Sequence, residues 1–199
     1  MRRSPDEIAE GRGDADAVLR LFFALWPDRE ARDALGTLAL AVAAQAHGKS
    51  SRVENLHLTV VFLGDVPATR VDALRSIGAR QAATAAPFAL TFDRMGTFRG
   101  TGIAWAGPSS TPPRLDELAR RLGDALAADG FATERRPFHP HVTLARRCRK
   151  PGNATIASPI AWHAARLVLN ASDPGADGPR YREIDAWPLD GGVSGALRS

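Results

Sequence analysis

Two stretches of this chain repeat one another: His57-Leu58-Thr59-Val60 and His141-Val142-Thr143-Leu144, each a His-x-Thr-x with an aliphatic residue at both x positions. Side chains along a β-strand alternate between faces, so residues i and i+2 share one. His57 and Thr59 are thus expected to project together while Leu58 and Val60 point into a core. His141 and Thr143 are expected to do the same above Val142 and Leu144. A chain with this pattern needs two half-buried strands and something to cover the aliphatic face of each.

The flanking sequence supplies candidates. Arg20 to Trp26 is an apolar run of strand length closed by Pro27. Asp28 is placed to cap a helix from about Arg29 to Ala46, stopped by Gly48. A second helix is expected after Pro67, with Val71, Leu74 and Ile77 at helical spacing. Phe88 to Phe92 alternates as a strand, Gly96 to Gly102 reads as a turn, and Ile103 to Ala106 as another short strand. Pro112 or Pro113 opens a third helix with an apolar stripe of Leu115, Leu118, Leu122 and Leu126, ended by Gly130. The stretch from Cys148 to Pro159 reads as a loop, and Ile160 to Asn170 and Tyr181 to Leu189 as closing strands. Residues 1–19 read as a disordered extension and 190–199 as a flexible tail, leaving 20–189 as the folded domain.

The order strand, helix, His-x-Thr strand occurs twice: 36 positions separate Leu21 from His57, and 38 separate Ile103 from His141. If the halves are related by a pseudo-twofold axis, the two strands lie side by side and their histidines face one cleft. Mixed strands and helices of this kind give an α+β or α/β domain. At 199 residues there is room for one domain, or two small lobes sharing one core. Apolar runs are too short to span a bilayer, and Arg2 and Arg3 precede no apolar stretch, so neither membrane nor secretory signal is expected. The single cysteine, Cys148, excludes an internal disulfide and a cysteine-based zinc cluster, and fits a reducing, cytoplasmic setting. A net charge of +4 is a mild bias toward anionic partners.

Two histidines facing one cleft suit a reaction that needs an acid and a base near neutrality, and phosphodiester cleavage is one. The threonine hydroxyls beside them are suitable donors to the non-bridging oxygens. Arg146, five positions after His141, falls on the opposite face of an unbroken strand and reaches the cleft only if the strand ends or bulges first. If it does, its guanidinium is a further phosphate ligand. His139 and His141 stand i, i+2 as half of a zinc site, but no nearby carboxylates complete one. No metal and no cofactor is expected.

With Leu21-Phe22-Phe23-Ala24-Leu25-Trp26-Pro27, Glu54-Asn55-Leu56-His57-Leu58-Thr59, Phe62-Leu63-Gly64 and Arg136-Pro137-Phe138-His139-Pro140-His141-Val142-Thr143-Leu144-Ala145-Arg146, the chain resembles the two-histidine phosphoesterases. Within them it is similar to the RNA 2′,3′-cyclic phosphodiesterase family, also called the 2′-5′ RNA ligase family. The resemblance covers about Arg20 to Leu189, including Tyr181 and Trp187-Pro188-Leu189. It implies a bilobal α+β fold of mainly antiparallel sheet with outer helices and a central cleft. It also implies hydrolysis of RNA 2′,3′-cyclic ends to a 2′-phosphate, with His57 as proton donor, His141 as proton acceptor, and Thr59 and Thr143 on the phosphate. The chain departs from the pattern at Ser51-Arg52-Val53, where an aromatic residue is common, and at His139, where Arg or Lys is. Phe62, Phe138 and Tyr181 are candidates for stacking on bases. RNA ends are the expected partner and a monomer the expected state. The alternatives are a small cyclic nucleotide such as ADP-ribose 1″,2″-cyclic phosphate, ligation in reverse, or an RNA-binding protein of this fold without turnover.

Overall fold

The computed structural model describes residues 17–133, 136–149, 152–175 and 178–191. Residues 1–16 of the expected extension and 192–199 of the expected tail lie outside them. Among the described residues, nine strands and three α-helices run in the order β1 (Val18–Leu25), α1 (Arg29–Gln45), β2 (Lys49–Ser50), β3 (Leu58–Pro67), α2 (Val71–Ala83), β4 (Phe88–Phe98), β5 (Ile103–Gly107), α3 (Pro113–Ala128), β6 (Val142–Arg146), β7 (Ala154–Ala164), β8 (Arg166–Asp173) and β9 (Arg180–Pro188). None of the helices is long and apolar enough to cross a membrane among the described residues.

Local chemistry accounts for the helices. The Asp28 carboxylate accepts the Ala31 amide at 2.9 Å and caps α1. Pro113 opens α3, Leu115, Leu118, Leu122 and Leu126 are fully buried, and Gly130 takes the left-handed conformation just past its end. All strand pairs are antiparallel, in the order β7-β4-β5-β6-β3-β1-β8-β9, with β2 on β6. The order is mirrored about its middle. There β3 meets β6 through one residue pair, Leu58 with Val142, each directly following its histidine. The expected pseudo-twofold relation therefore holds in topology.

The sheet cannot be flat. Ala165 alone joins β7 to β8, although β4, β5, β6, β3 and β1 stand between them in the sheet. At the usual strand spacing those two would lie roughly 29 Å apart in a flat sheet, so the halves curl until the ends of β7 and β8 meet. Leu58, Val60, Val142 and Leu144 point to one face, into a core shared with Leu35 and Ala39 of α1 and the leucines of α3. The opposite face carries His57, Thr59, His141 and Thr143.

Three sequence expectations change. Ile160 to Asn170 is not one strand: β7 begins at Ala154, inside the expected loop, and ends at Ala164, and β8 starts at Arg166 in the other half. Apolar residues recur on both sides of the join, but the buried set changes there from alternate residues, Ile160, Trp162 and Ala164, to the unbroken run Leu167–Ala171. The expected turn at Gly96–Gly102 shrinks to its second half, because Gly96 is a strand residue paired with Trp105. A Cβ on Gly96 would lie 2.3 Å from the Trp105 indole, so glycine is there to let the ring lie across the backbone. Val18 and Leu19, counted with the expected extension, are the first residues of β1, and Asp190 and Gly191, counted with the expected tail, are tied by backbone hydrogen bonds to Ala82 and Ala85.

Candidate active site

Each His-x-Thr-x carries a β-bulge at its last residue. Ala24 pairs with Thr59 and Phe23 with Val61, leaving Val60 as the extra residue. Trp105 pairs with Thr143 and Ala104 with Ala145, leaving Leu144 as the extra one. Two consecutive side chains then face the core in each motif: Val60 and Val61 at 5% and 8% exposure, Leu144 and Ala145 at 0%. The next residue is turned back toward the cleft. On one side that residue is Phe62, on the other Arg146, and both line the cleft. This bulge resolves the question of face left open for Arg146.

The histidines lie just ahead of their strands and are held alike. His57 Nδ1 is 2.8 Å from the carbonyl oxygen of Asn55, and His141 Nδ1 is 2.7 Å from that of His139. A carbonyl only accepts, so Nδ1 carries the proton in both rings and Nε2 is the atom left for the cleft. His57 Nε2 lies 3.1 Å from Thr59 Oγ1, which donates to the neutral ring. The carbonyl two residues upstream thus sets the tautomer of each imidazole, a part that no side-chain motif reveals.

Aromatic rings wall both imidazoles. His57 has Phe22, Trp26 and Tyr181 at centroid distances of 5.0, 5.1 and 4.8 Å. His141 has Phe98 edge-on at 4.8 Å, and Phe98 in turn touches Trp105. These walls remove water. Burial is the largest cause that holds His57 far below its ordinary 6.5, at about 4; the hydrogen bond to Asn55 opposes it, and the charges of His141 and Arg146 add to it. His141 is lowered too, first by burial, then by the charges of His139 and Arg146 against its own carbonyl bond. Burial raises the Tyr181 hydroxyl, which therefore stays protonated near neutrality.

The cleft holds about 650 Å³ and its lining includes Arg20, Lys49, Arg52, Arg146 and Arg147, with no Asp or Glu among the described lining residues. An anion is the ligand this field suits. Of the candidate stacking residues, Tyr181 and Phe62 line the cleft, with the Arg20 guanidinium 4.8 Å over the Phe62 ring. Phe138 packs against the core and is not among the lining residues. His139 is 6.0 Å from His141 and rests edge-on against Trp105 at 4.7 Å. Among the described residues no three His, Cys, Asp or Glu side chains converge as metal ligands. Sequence reasoning missed the walls and the basic rim, though Arg20 and Phe22 stand i, i+2 on β1 and were legible as one face.

Residues 26–171 match the family model described as 2′-5′ RNA ligase superfamily. The chain belongs to this superfamily. The RNA 2′,3′-cyclic phosphodiesterase of Escherichia coli is 32% identical over 85% of this chain and 96% of its own length. That of Thermus thermophilus is 30% identical over 87% and 91%. Among solved structures, E. coli LigT complexed with 3′-AMP superimposes with a TM-score of 0.76 at 30% identity, covering 87% of this chain and 99% of that one. The superfamily fold thus extends over both halves of the sheet and the seam where the two histidine motifs meet.

Proposed function

We propose that the protein hydrolyses the 2′,3′-cyclic phosphate at RNA ends to a 2′-phosphomonoester, with its two histidines as acid and base and no metal ion. The observation that carries this reading is the pair of histidines with protonated Nδ1 and cleft-facing Nε2, on either side of the Leu58–Val142 seam. The named activity of the E. coli and Thermus relatives supports the substrate.

In the proposed step, His141 Nε2 takes a proton from water as its oxygen attacks phosphorus. The bond from phosphorus to the 3′ oxygen breaks, and the His57 imidazolium gives its Nε2 proton to that oxygen. The 2′ oxygen keeps the phosphoryl group. Turnover leaves His57 neutral and His141 charged, and proton exchange with water resets them. Thr59, Thr143 and Arg146 hold the non-bridging oxygens as charge shifts onto them. The direction of proton flow follows the family resemblance, since the two halves present the same groups.

The depressed histidines predict a distinctive pH dependence. The productive free enzyme carries one shared proton on the pair, so kcat/KM is bell-shaped between two apparent values, both below 6.5. Its maximum falls on the acid side of pH 6.5, and above that the required imidazolium is lost. A bound phosphate anion favours the charged ring, so the alkaline limb of kcat lies at higher pH than that of kcat/KM. A kcat/KM that climbs through pH 7 would exclude this pair as the titrating groups.

The direct test is an oligoribonucleotide with a 2′,3′-cyclic end, incubated with the protein in EDTA, with the product end identified. A 2′-phosphate is the expected product. A 3′-phosphate would reverse the leaving group, and loss of turnover in EDTA would overturn metal independence. Binding without conversion would leave a small cyclic nucleotide as substrate or an RNA-binding protein without turnover.

A further inference from the structure

We propose that Arg147 binds a second phosphate, the one joining the terminal nucleotide to its predecessor, so that the cleft selects oligonucleotide ends over cyclic mononucleotides. This rests on the reading of the cleft as a cyclic phosphodiesterase site. A cyclic phosphodiester carries a single negative charge, yet five cationic side chains line the cleft, with no carboxylate among the described lining residues. Three have protein partners: Arg20 lies 3.5 Å from Asp65, Arg52 lies 3.8 Å from Glu54, and Lys49 is engaged as well. Arg146 and Arg147 have no carboxylate within ion-pair distance among the described residues. The charge of Arg146 reaches both histidines, which assigns it to the reacting phosphate. Arg147 remains for another.

The backbone gives an independent reason. Arg147 has φ 58°, a left-handed conformation that is strained for a residue with a long side chain. In a continued strand, two successive arginines would point to opposite faces; here both line the cleft. The neighbours hold the turn in place. The Cys148 amide donates to Gly102 O at 2.9 Å and the Arg149 amide to Ala46 O at 2.8 Å, so the β4–β5 hairpin tip and the end of α1 grip the segment from two sides. Gly102, itself at φ 64°, lies against the same segment, where a Cβ would come within 3.3 Å of the Cys148 carbonyl oxygen. Glycine at 147 would remove the strain, and the fold instead spends it on a second guanidinium in the cleft.

The test compares the wild type, Arg147→Gly and Arg147→Lys on 2′,3′-cyclic AMP and on an oligoribonucleotide ending in the same cyclic adenosine. Arg147→Gly suits the backbone, and an unchanged thermal midpoint checks that the fold is kept. The wild type is expected to favour the oligonucleotide. In Arg147→Gly the ratio of kcat/KM, oligonucleotide to mononucleotide, falls about tenfold, the size of one charged hydrogen bond, while Arg147→Lys retains most of it. The log–log salt slope for the oligonucleotide becomes shallower by about 0.7, one phosphate contact on a single strand. An unchanged ratio, or an equal fall on both substrates, would overturn the assignment of Arg147 alone. A wild type inert toward both substrates would overturn the hydrolase reading beneath it as well.

Discussion

Replacing either histidine with alanine is expected to lower kcat on a cyclic-phosphate RNA end by at least ~100-fold, the contribution typical of a positioned general acid or base. The two losses arise in different ways. His57→Ala takes away the proton for the departing 3′ oxygen, whereas His141→Ala takes away the acceptor that activates water. If both act in one step, the double variant falls less than the product of the single losses, because each ring is of use only while the other is present. His57 is enclosed by Phe22, Trp26 and Tyr181, so its removal leaves a gap, and the thermal midpoint must be followed alongside the rate. Near-normal turnover of either folded variant would refute the acid–base pair.

The second large effect is expected from the threonines. Thr59→Val and Thr143→Val keep the shape and branching of the side chain and delete one hydroxyl, so the strand and its bulge are retained. Each variant is expected to lose about 100-fold in kcat, as when one preorganised donor to a developing charge is removed. KM should change little, because the hydroxyl matters most as charge gathers on the non-bridging oxygens. The two sites differ in the resting state. Thr59 Oγ1 is engaged with His57 Nε2 at 3.1 Å, so Thr59→Val also removes a hydrogen bond that holds the neutral ring and should shift the pH profile. Thr143→Val should leave the profile in place. A loss confined to KM in both variants would mean that the hydroxyls bind substrate and transition state equally, and the proposed role would fail.

Much of the architecture is legible because short-range rules set it. The capped start of α1, the leucine stripe of α3 and the split of each His-x-Thr-x into a polar and an aliphatic face depend on residues a few positions apart. What misleads is a residue whose role depends on a distant partner. Gly96 reads as a turn until the Trp105 indole is laid over it. Phe138 reads as a stacking ring, though the structure rests it, half-buried, against the core and away from the cleft lining. Ile160 to Asn170 reads as one strand because an apolar pattern does not record which neighbour each half pairs with.

By itself, the amino-acid sequence determined the chemistry on offer, two imidazoles and two hydroxyls on matching strand faces, while the mainly antiparallel α+β fold was implied by the family resemblance. Only the tertiary structure decided how that chemistry is tuned. The bulges at Val60 and Leu144 turn Phe62 and Arg146 into the cleft, and the carbonyls of Asn55 and His139 choose the tautomers. The aromatic walls exclude water and draw both histidines down in pKa. The physical reason is the range of the forces involved. Face and cap preferences act within a few residues of chain, whereas bulges, desolvation and the field of Arg146 arise only where segments far apart in sequence are brought within a few ångströms.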